Sequence, residues 1–177
     1  ILKLLLKILN GGNVMAYFGT LYFFTGKMGA GKSTISKKIA RDKNAILLSE
    51  DEILEQFYPN QIKTFDDYLT YSNFIKPFIK SHVQNLLRVD TNVVMDFPGN
   101  TQKQRKWLSN IASEINVSHK LIYLNISDET CLQRLKQRNI ENPERANFDT
   151  LEMFNYVSQY FEKPNESERL NIVEITQ

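Results

Sequence analysis

At 177 residues, with 42% hydrophobic and 24% charged side chains, the chain is one domain's worth of sequence with enough apolar residues for a sizeable core. A net charge of +2 excludes a globally basic binder of nucleic acid or membrane surfaces, although a local basic patch stays open. The single cysteine, Cys131, excludes an intrachain disulfide and has no ligand cluster beside it, so it reads as a small buried core residue rather than part of a zinc site.

The opening run ILKLLLKILNGGNV is apolar and basic. Lys3 and Lys7 break it far short of a spanning helix, and it lacks the small-residue cleavage site of a secretory signal. It reads as an amphipathic membrane or partner helix, a packed N-terminal helix, or a leader foreign to the natural protein. The last is expected for residues 1–14, because Met15 stands just before the first strand-like run. A single cytoplasmic domain over 15–177 follows from that reading.

Strand-like runs rich in β-branched and aromatic residues occupy 20–25, 45–49, 92–97, 120–126 and 170–175. Helical patterns separate them, which implies an α/β fold: a parallel sheet with helices on both faces. Helices are expected over 32–41, 65–88, 101–115, 127–138 and 149–161. In the second of these, Tyr68, Tyr71, Ile75, Phe78, Ile79, Val83 and Leu86 recur near helical spacing, as core or as the wall of a substrate pocket. Pro77 is expected to kink or split that helix. Thr101 and Ser127 are plausible N-caps, and Asp128 and Glu129 suit a helix's positive end. Residues 139–148, with Pro143, read as a polar lid.

The run Gly26-Lys27-Met28-Gly29-Ala30-Gly31-Lys32-Ser33-Thr34 fits the phosphate-binding loop pattern, with a strand-like run before it and a helical one after. Glycines let the backbone turn so that successive N–H groups converge on phosphate oxygens, and the following helix places its positive end there. Lys32 supplies a mobile cation for the β- and γ-phosphates, the Ser33 hydroxyl suits Mg²⁺, and Thr34 suits the α-phosphate. No guanine-reading Asn-Lys-x-Asp run is present, and the chain leaves no room for the extra helical domain of a ring-forming motor. A phosphotransferase with ATP and Mg²⁺ as cofactors fits best.

Carboxylates follow the second and third strand-like runs, where the ligand crevice of a parallel sheet lies. Asp51 in ILLSEDEIL is the candidate base for a substrate hydroxyl, with Glu50 and Glu52 as rivals and helix capping as the alternative for all three. Asp96 in NVVMD holds the position of a Mg²⁺-associated carboxylate, or else forms a turn before Pro98-Gly99. Arg134 and Arg138 share one helix face before the lid and suit the charge that develops during phosphoryl transfer, unless they merely face solvent. Arg145 is a weaker lid candidate. Arg105 is a candidate substrate or phosphate contact, while Trp107, His82 and His119 read as structural.

With these residues in place, the chain resembles the zeta-toxin-like, AAA_33-type P-loop kinases, a group that includes the kinase domain of polynucleotide kinase and the chloramphenicol phosphotransferases. The resemblance spans 21–173. It is closest to a bacterial branch of ATP-binding proteins marked by Asp-Phe-x-x-Asn-Thr-x-x-Gln-Arg-x-Trp, here Asp96 to Trp107. The Cys131-Leu132, Arg134-Leu135 and Arg138-Asn139 pairs and the Tyr160-Phe161-x-x-Pro164 ending accompany it. The resemblance implies a three-layer fold with strand order 2-3-1-4-5, ATP as donor, and adenine near Phe161–Pro164. It also supports Asp51 as base, Asp96 near Mg²⁺, and Arg134 and Arg138 as lid arginines. Polynucleotide kinases carry an Arg three residues after the base, where this chain has Leu54. A small-molecule acceptor is therefore expected ahead of a polynucleotide 5′-hydroxyl, and a non-catalytic ATP-binding switch is the reading from another class.

Overall fold

The computed structural model describes residues 18–143 and 149–176. The readings made on residues 1–14 and on Arg145 fall outside those residues. Five parallel strands form one sheet: β1 (Leu21–Thr25), β2 (Ile46–Ser49), β3 (Val93–Asp96), β4 (His119–Asn125) and β5 (Ile172–Thr176), in the order β2-β3-β1-β4-β5. The helices are α1 (Lys32–Asp42), α2 (Glu50–Phe57), α3 (Phe65–Arg88), α4 (Gln102–Ser113), α5 (Asp128–Glu141) and α6 (Leu151–Ser158). No helix among the described residues is long and apolar enough to cross a membrane.

Alternation along the strands fills both faces, as expected of a buried parallel sheet. Leu21, Phe23, Val93, Met95 and Leu121 pack with Leu54 of α2, Ile75, Ile79 and Val83 of α3, and Leu108 and Ile111 of α4. Tyr22, Phe24, Val94, Ile122 and Leu124 point the other way, onto Ala40 of α1, Cys131 and Leu135 of α5, and Phe154 of α6. Cys131 is a buried core residue, as its setting in sequence implies.

Local chemistry sets the helix starts. Ser49, Thr64, Thr101, Ser127 and Thr150 each accept a bond from a first-turn amide, and Thr64 and Thr101 form full capping boxes with Asp67 and Gln104. The 50–57 helix has no counterpart among the expected elements, being short and charged in its first turn. The final helix starts at Leu151 rather than 149, because Thr150 caps it and Asp149 turns inward. Pro77 does not split α3, which runs unbroken from Phe65 to Arg88. The missing Pro77 amide is outweighed by the buried stripe Ile75, Ile79, Val83 and Leu87, but Phe78 falls outside that stripe and lies exposed against His82. His119 stacks near Phe23 and accepts a bond from the Asn171 amide, a structural role.

Arg105 corrects the expectation of a substrate contact. It is fully buried, and its guanidinium forks onto both Glu168 oxygens (2.7 and 2.8 Å) while donating to the carbonyls of Gly99 (3.2 Å) and Glu162 (2.8 Å). The physical reason is position: four residues past the Thr101 cap, the side chain points back under the loop after β3 rather than into the crevice. Burial alone raises the Glu168 carboxyl, yet hydrogen bonds from Arg105 and the Asn165 amide pull it below the usual range. Removing one partner of such a pair strands the other charge. Arg105→Leu is expected to lower unfolding free energy by about 3–5 kcal/mol in urea titrations, and the Arg105→Leu/Glu168→Leu double variant to recover most of it.

Candidate active site

Strand register brings the chemistry to one edge. Ser49 pairs with Asp96 at the carboxyl ends of β2 and β3, while β1 ends at Thr25 and opens into the glycine loop. The crossover after β1 runs toward the β2 edge and the one after β4 toward the β5 edge, so the strand order switches between these two parallel neighbours and the crevice opens over this loop.

The loop depends on glycine at three positions of positive φ: Gly26 (154°), Gly29 (77°) and Gly31 (97°). At Gly29 a Cβ would meet the Cys131 carbonyl oxygen at 2.5 Å, so α5 packs directly on the backbone. At Gly31 a Cβ would meet only Arg134 Nη1, at 3.5 Å; there the space faces outward and the conformation alone demands glycine. Gly31 opens α1 with no side-chain cap and no acidic residue in the first turn, whereas α2 to α6 all carry a capping hydroxyl. The amides that open α1 therefore face the crevice with a helix dipole behind them.

Lys32 Nζ donates to the Gly26 carbonyl (2.5 Å) and the Lys27 carbonyl (3.0 Å), which holds the ammonium inside the loop. Burial lowers its pKa to about 8, against the Asp96 carboxylate, which raises it. The structure thus brings Lys32 and Asp96 into electrostatic contact, with the exposed Ser33 hydroxyl on the next residue. Arg134 donates to the Ala30 carbonyl at 2.9 Å, so this guanidinium sits over the loop itself. Arg138 pairs at 2.6 Å with the buried Asp149 carboxylate, across the segment that links α5 to α6. Met28, Gly31, Lys32, Ser33, Thr34, Arg134 and Arg138 share one cavity of about 470 Å³.

The residues after β2 divide. Glu50 is 2% exposed and accepts from the Ser72 hydroxyl at 2.7 Å and from the Tyr68 hydroxyl. Asp51 is exposed on the first turn of α2, in a shallow cleft with Leu54, Glu55, Tyr58 and Tyr68. Leu54, at the floor of that cleft, is buried and packs into the core. Phe161 stacks near Tyr123 (6.3 Å), and the Glu162 amide donates to the Asn100 carbonyl at 2.9 Å, so the 161–164 turn closes one end of the crevice.

Residues 21–164 match the AAA_33 family, described as an AAA domain. The chain belongs to the AAA_33 family. No curated protein matches it. Solved structures of similar fold include APE1195, 20% identical over 89% of this chain and 86% of that one, with a TM-score of 0.64. The Mycobacterium tuberculosis APS kinase CysC in complex with AMPPNP and APS is 15% identical over 90% and 89%, at 0.58. Chaetomium thermophilum Kti12 in complex with ADP-AlF3 is 14% identical over 88% of each chain, at 0.62. At these identities the likeness is one of fold, the five-stranded P-loop architecture.

Three residues that brace the loop and its arginines were given no such role by the sequence. Asn100 accepts from the Gly26 amide through Oδ1 at 3.2 Å and so ties the loop after β3 to the glycine loop. Asp128 pairs with Lys27 at 2.5 Å, and Asp149 holds Arg138. Glu50 has a further consequence for pH. Burial raises its carboxyl above the ordinary glutamate range, against the hydrogen bonds from Tyr68 and Ser72. The folded state thus holds this proton more tightly than the unfolded chain. Its contribution is fully present below the ordinary glutamate value and is lost as pH rises through the raised one. Urea titrations across that window are expected to show stability falling with pH in the wild type, and a flatter profile in Glu50→Gln.

Proposed function

We propose that the protein is an ATP- and Mg²⁺-dependent phosphotransferase acting on a hydroxyl of a small molecule. The observation that carries this reading is the combination of an uncapped α1 N-terminus at a positive-φ Gly31 with Lys32, Asp96 and Arg134 around it. The residues present fit a triphosphate and its metal: outward space at Gly31, the Lys32 and Arg134 cations beside it, and the Asp96 carboxylate and Ser33 hydroxyl nearby. When bound, Mg²⁺ would be held by Ser33 and Asp96 and would neutralise the β- and γ-phosphate oxygens.

In this mechanism the residues from Gly26 to Thr34 bind and orient the phosphates through their amides, and Lys32 spans the β- and γ-phosphates. The acceptor oxygen forms a bond to the γ-phosphorus as the bond to the bridging oxygen breaks and ADP leaves. Asp51 takes the hydroxyl proton. Arg134 and Arg138 counter the charge spread over the transferring group and exclude water as the lid closes. The 161–164 turn takes the adenine. The motif from Asp96 to Trp107 supports a place in the zeta-toxin-like bacterial branch, and dependence on ATP suits the cytoplasm. Leu54, buried where a polynucleotide kinase has an Arg, favours a small acceptor.

Incubation with γ-labelled ATP and fractionated cell extract, followed by mass identification, is expected to place the label on a small hydroxyl compound. Label on an oligonucleotide 5′ end would replace this reading with a polynucleotide kinase; ATP binding with no acceptor would replace it with a switch. Asp51→Asn is expected to cut transfer by about 10²–10⁴-fold while ATP affinity stays within a few fold. Glu50→Gln should retain transfer; the reverse pattern would move the proton to Glu50. Lys32→Ala should impair binding and transfer together.

A further inference from the structure

A second cavity of about 460 Å³ lies between α3, the 97–101 segment and the start of α4. Its size suits one metabolite-sized ligand. Pro98 and Thr101 in its wall flank Asn100, which bonds to Gly26, so the cavity adjoins the glycine loop. From this geometry, and resting on the phosphotransfer reading above, we infer that the acceptor is a hydroxyl compound bearing one anionic group, a carboxylate or a phosphate, held by Lys76 and Lys103.

Charge pairing carries the inference. Lys80, one turn along α3, is neutralised at 2.7 Å by Glu114, which caps the end of α4, and Lys27 by Asp128 at 2.5 Å. Lys76 and Lys103 face the cavity from α3 and α4, and no described carboxylate lies within ion-pair distance of either. Lys76 donates to Asn73 Oδ1 at 3.0 Å, its ammonium lies 5.6 Å from the centre of the Trp107 ring, and Glu50 attracts it electrostatically from beyond ion-pair distance. Among the described lining residues Glu50 is the one carboxylate. Both its oxygens are engaged by the Tyr68 and Ser72 hydroxyls, and burial shifts it toward the protonated form. Two cations thus line one cavity without an ion-pair partner, and an anion between them is attracted to both.

Trp107 lines the cavity and is the chain's sole tryptophan, so its fluorescence reports on occupancy. Ribose, ribonate and ribose 5-phosphate are titrated without ATP at fixed ionic strength. The two anions are expected to bind at least about tenfold more tightly than ribose, and their ratio identifies which anion the site prefers. The double variant Lys76→Gln/Lys103→Gln should abolish the preference, and Lys80→Gln should keep it. Equal response to all three sugars, no response to any, or a preference that survives the double variant would overturn the inference. ATP binding, measured on the same samples, tests the phosphotransfer reading separately: its loss leaves the anion preference to stand or fall alone.

Discussion

The glycine loop is held in an unfavourable backbone shape from several sides at once, and the site depends on that restraint. Left-handed and extended positive-φ conformations at Gly26, Gly29 and Gly31 leave a short loop with its amides turned inward. An isolated loop of this kind would sample many shapes. Here the Gly26 amide is fixed by Asn100, Lys27 by Asp128, the Gly29 backbone by close packing on the Cys131 carbonyl, and the Ala30 carbonyl by Arg134. Two separate elements, the β3–α4 loop and the first two turns of α5, thus set one backbone conformation. Pre-organisation of this kind lets polar groups meet developing charge with little reorganisation.

The second cavity is built on a different principle. Its walls are helices α3 and α4, fixed by apolar packing on the sheet, and its polar groups are sparse. The fully buried Arg105–Glu168 fork ties α4 to the turn that leads into β5. That bond couples the wall of the second cavity to the 161–164 turn at the other end of the crevice, through the Glu162 carbonyl that Arg105 also engages. Arg105 is therefore a structural hub whose conspicuous place in the Asp96–Trp107 motif reflects folding rather than ligand contact.

Period and punctuation made much of this legible in sequence. The strands were readable because each is a short β-branched or aromatic run between helical patterns, and the loop because glycine spacing and the Lys-Ser-Thr that follows have a single common physical use. What was not legible depended on long-range partners. Nothing local to Arg105 shows that Glu168, 63 residues on, will bury it. Nothing in the run Glu50-Asp51-Glu52 tells which acid turns inward, because that is decided by Tyr68 and Ser72 on α3. Pro77 leaves its helix unsplit for the same reason: tertiary burial of the helix overrides a local breaker.

The central claim is that the amides from Gly26 to Lys32 converge on a triphosphate. With seven glycines in the chain, a ¹⁵N-labelled sample gives a sparse, readable glycine region in amide correlation spectra. On titration with ATP and Mg²⁺, the account predicts large, saturable shifts for Gly29, Gly31 and Lys32, with the glycine at position 19, below the sheet, unmoved. Shifts spread elsewhere with these amides unchanged, or no shift at millimolar ATP, would contradict it.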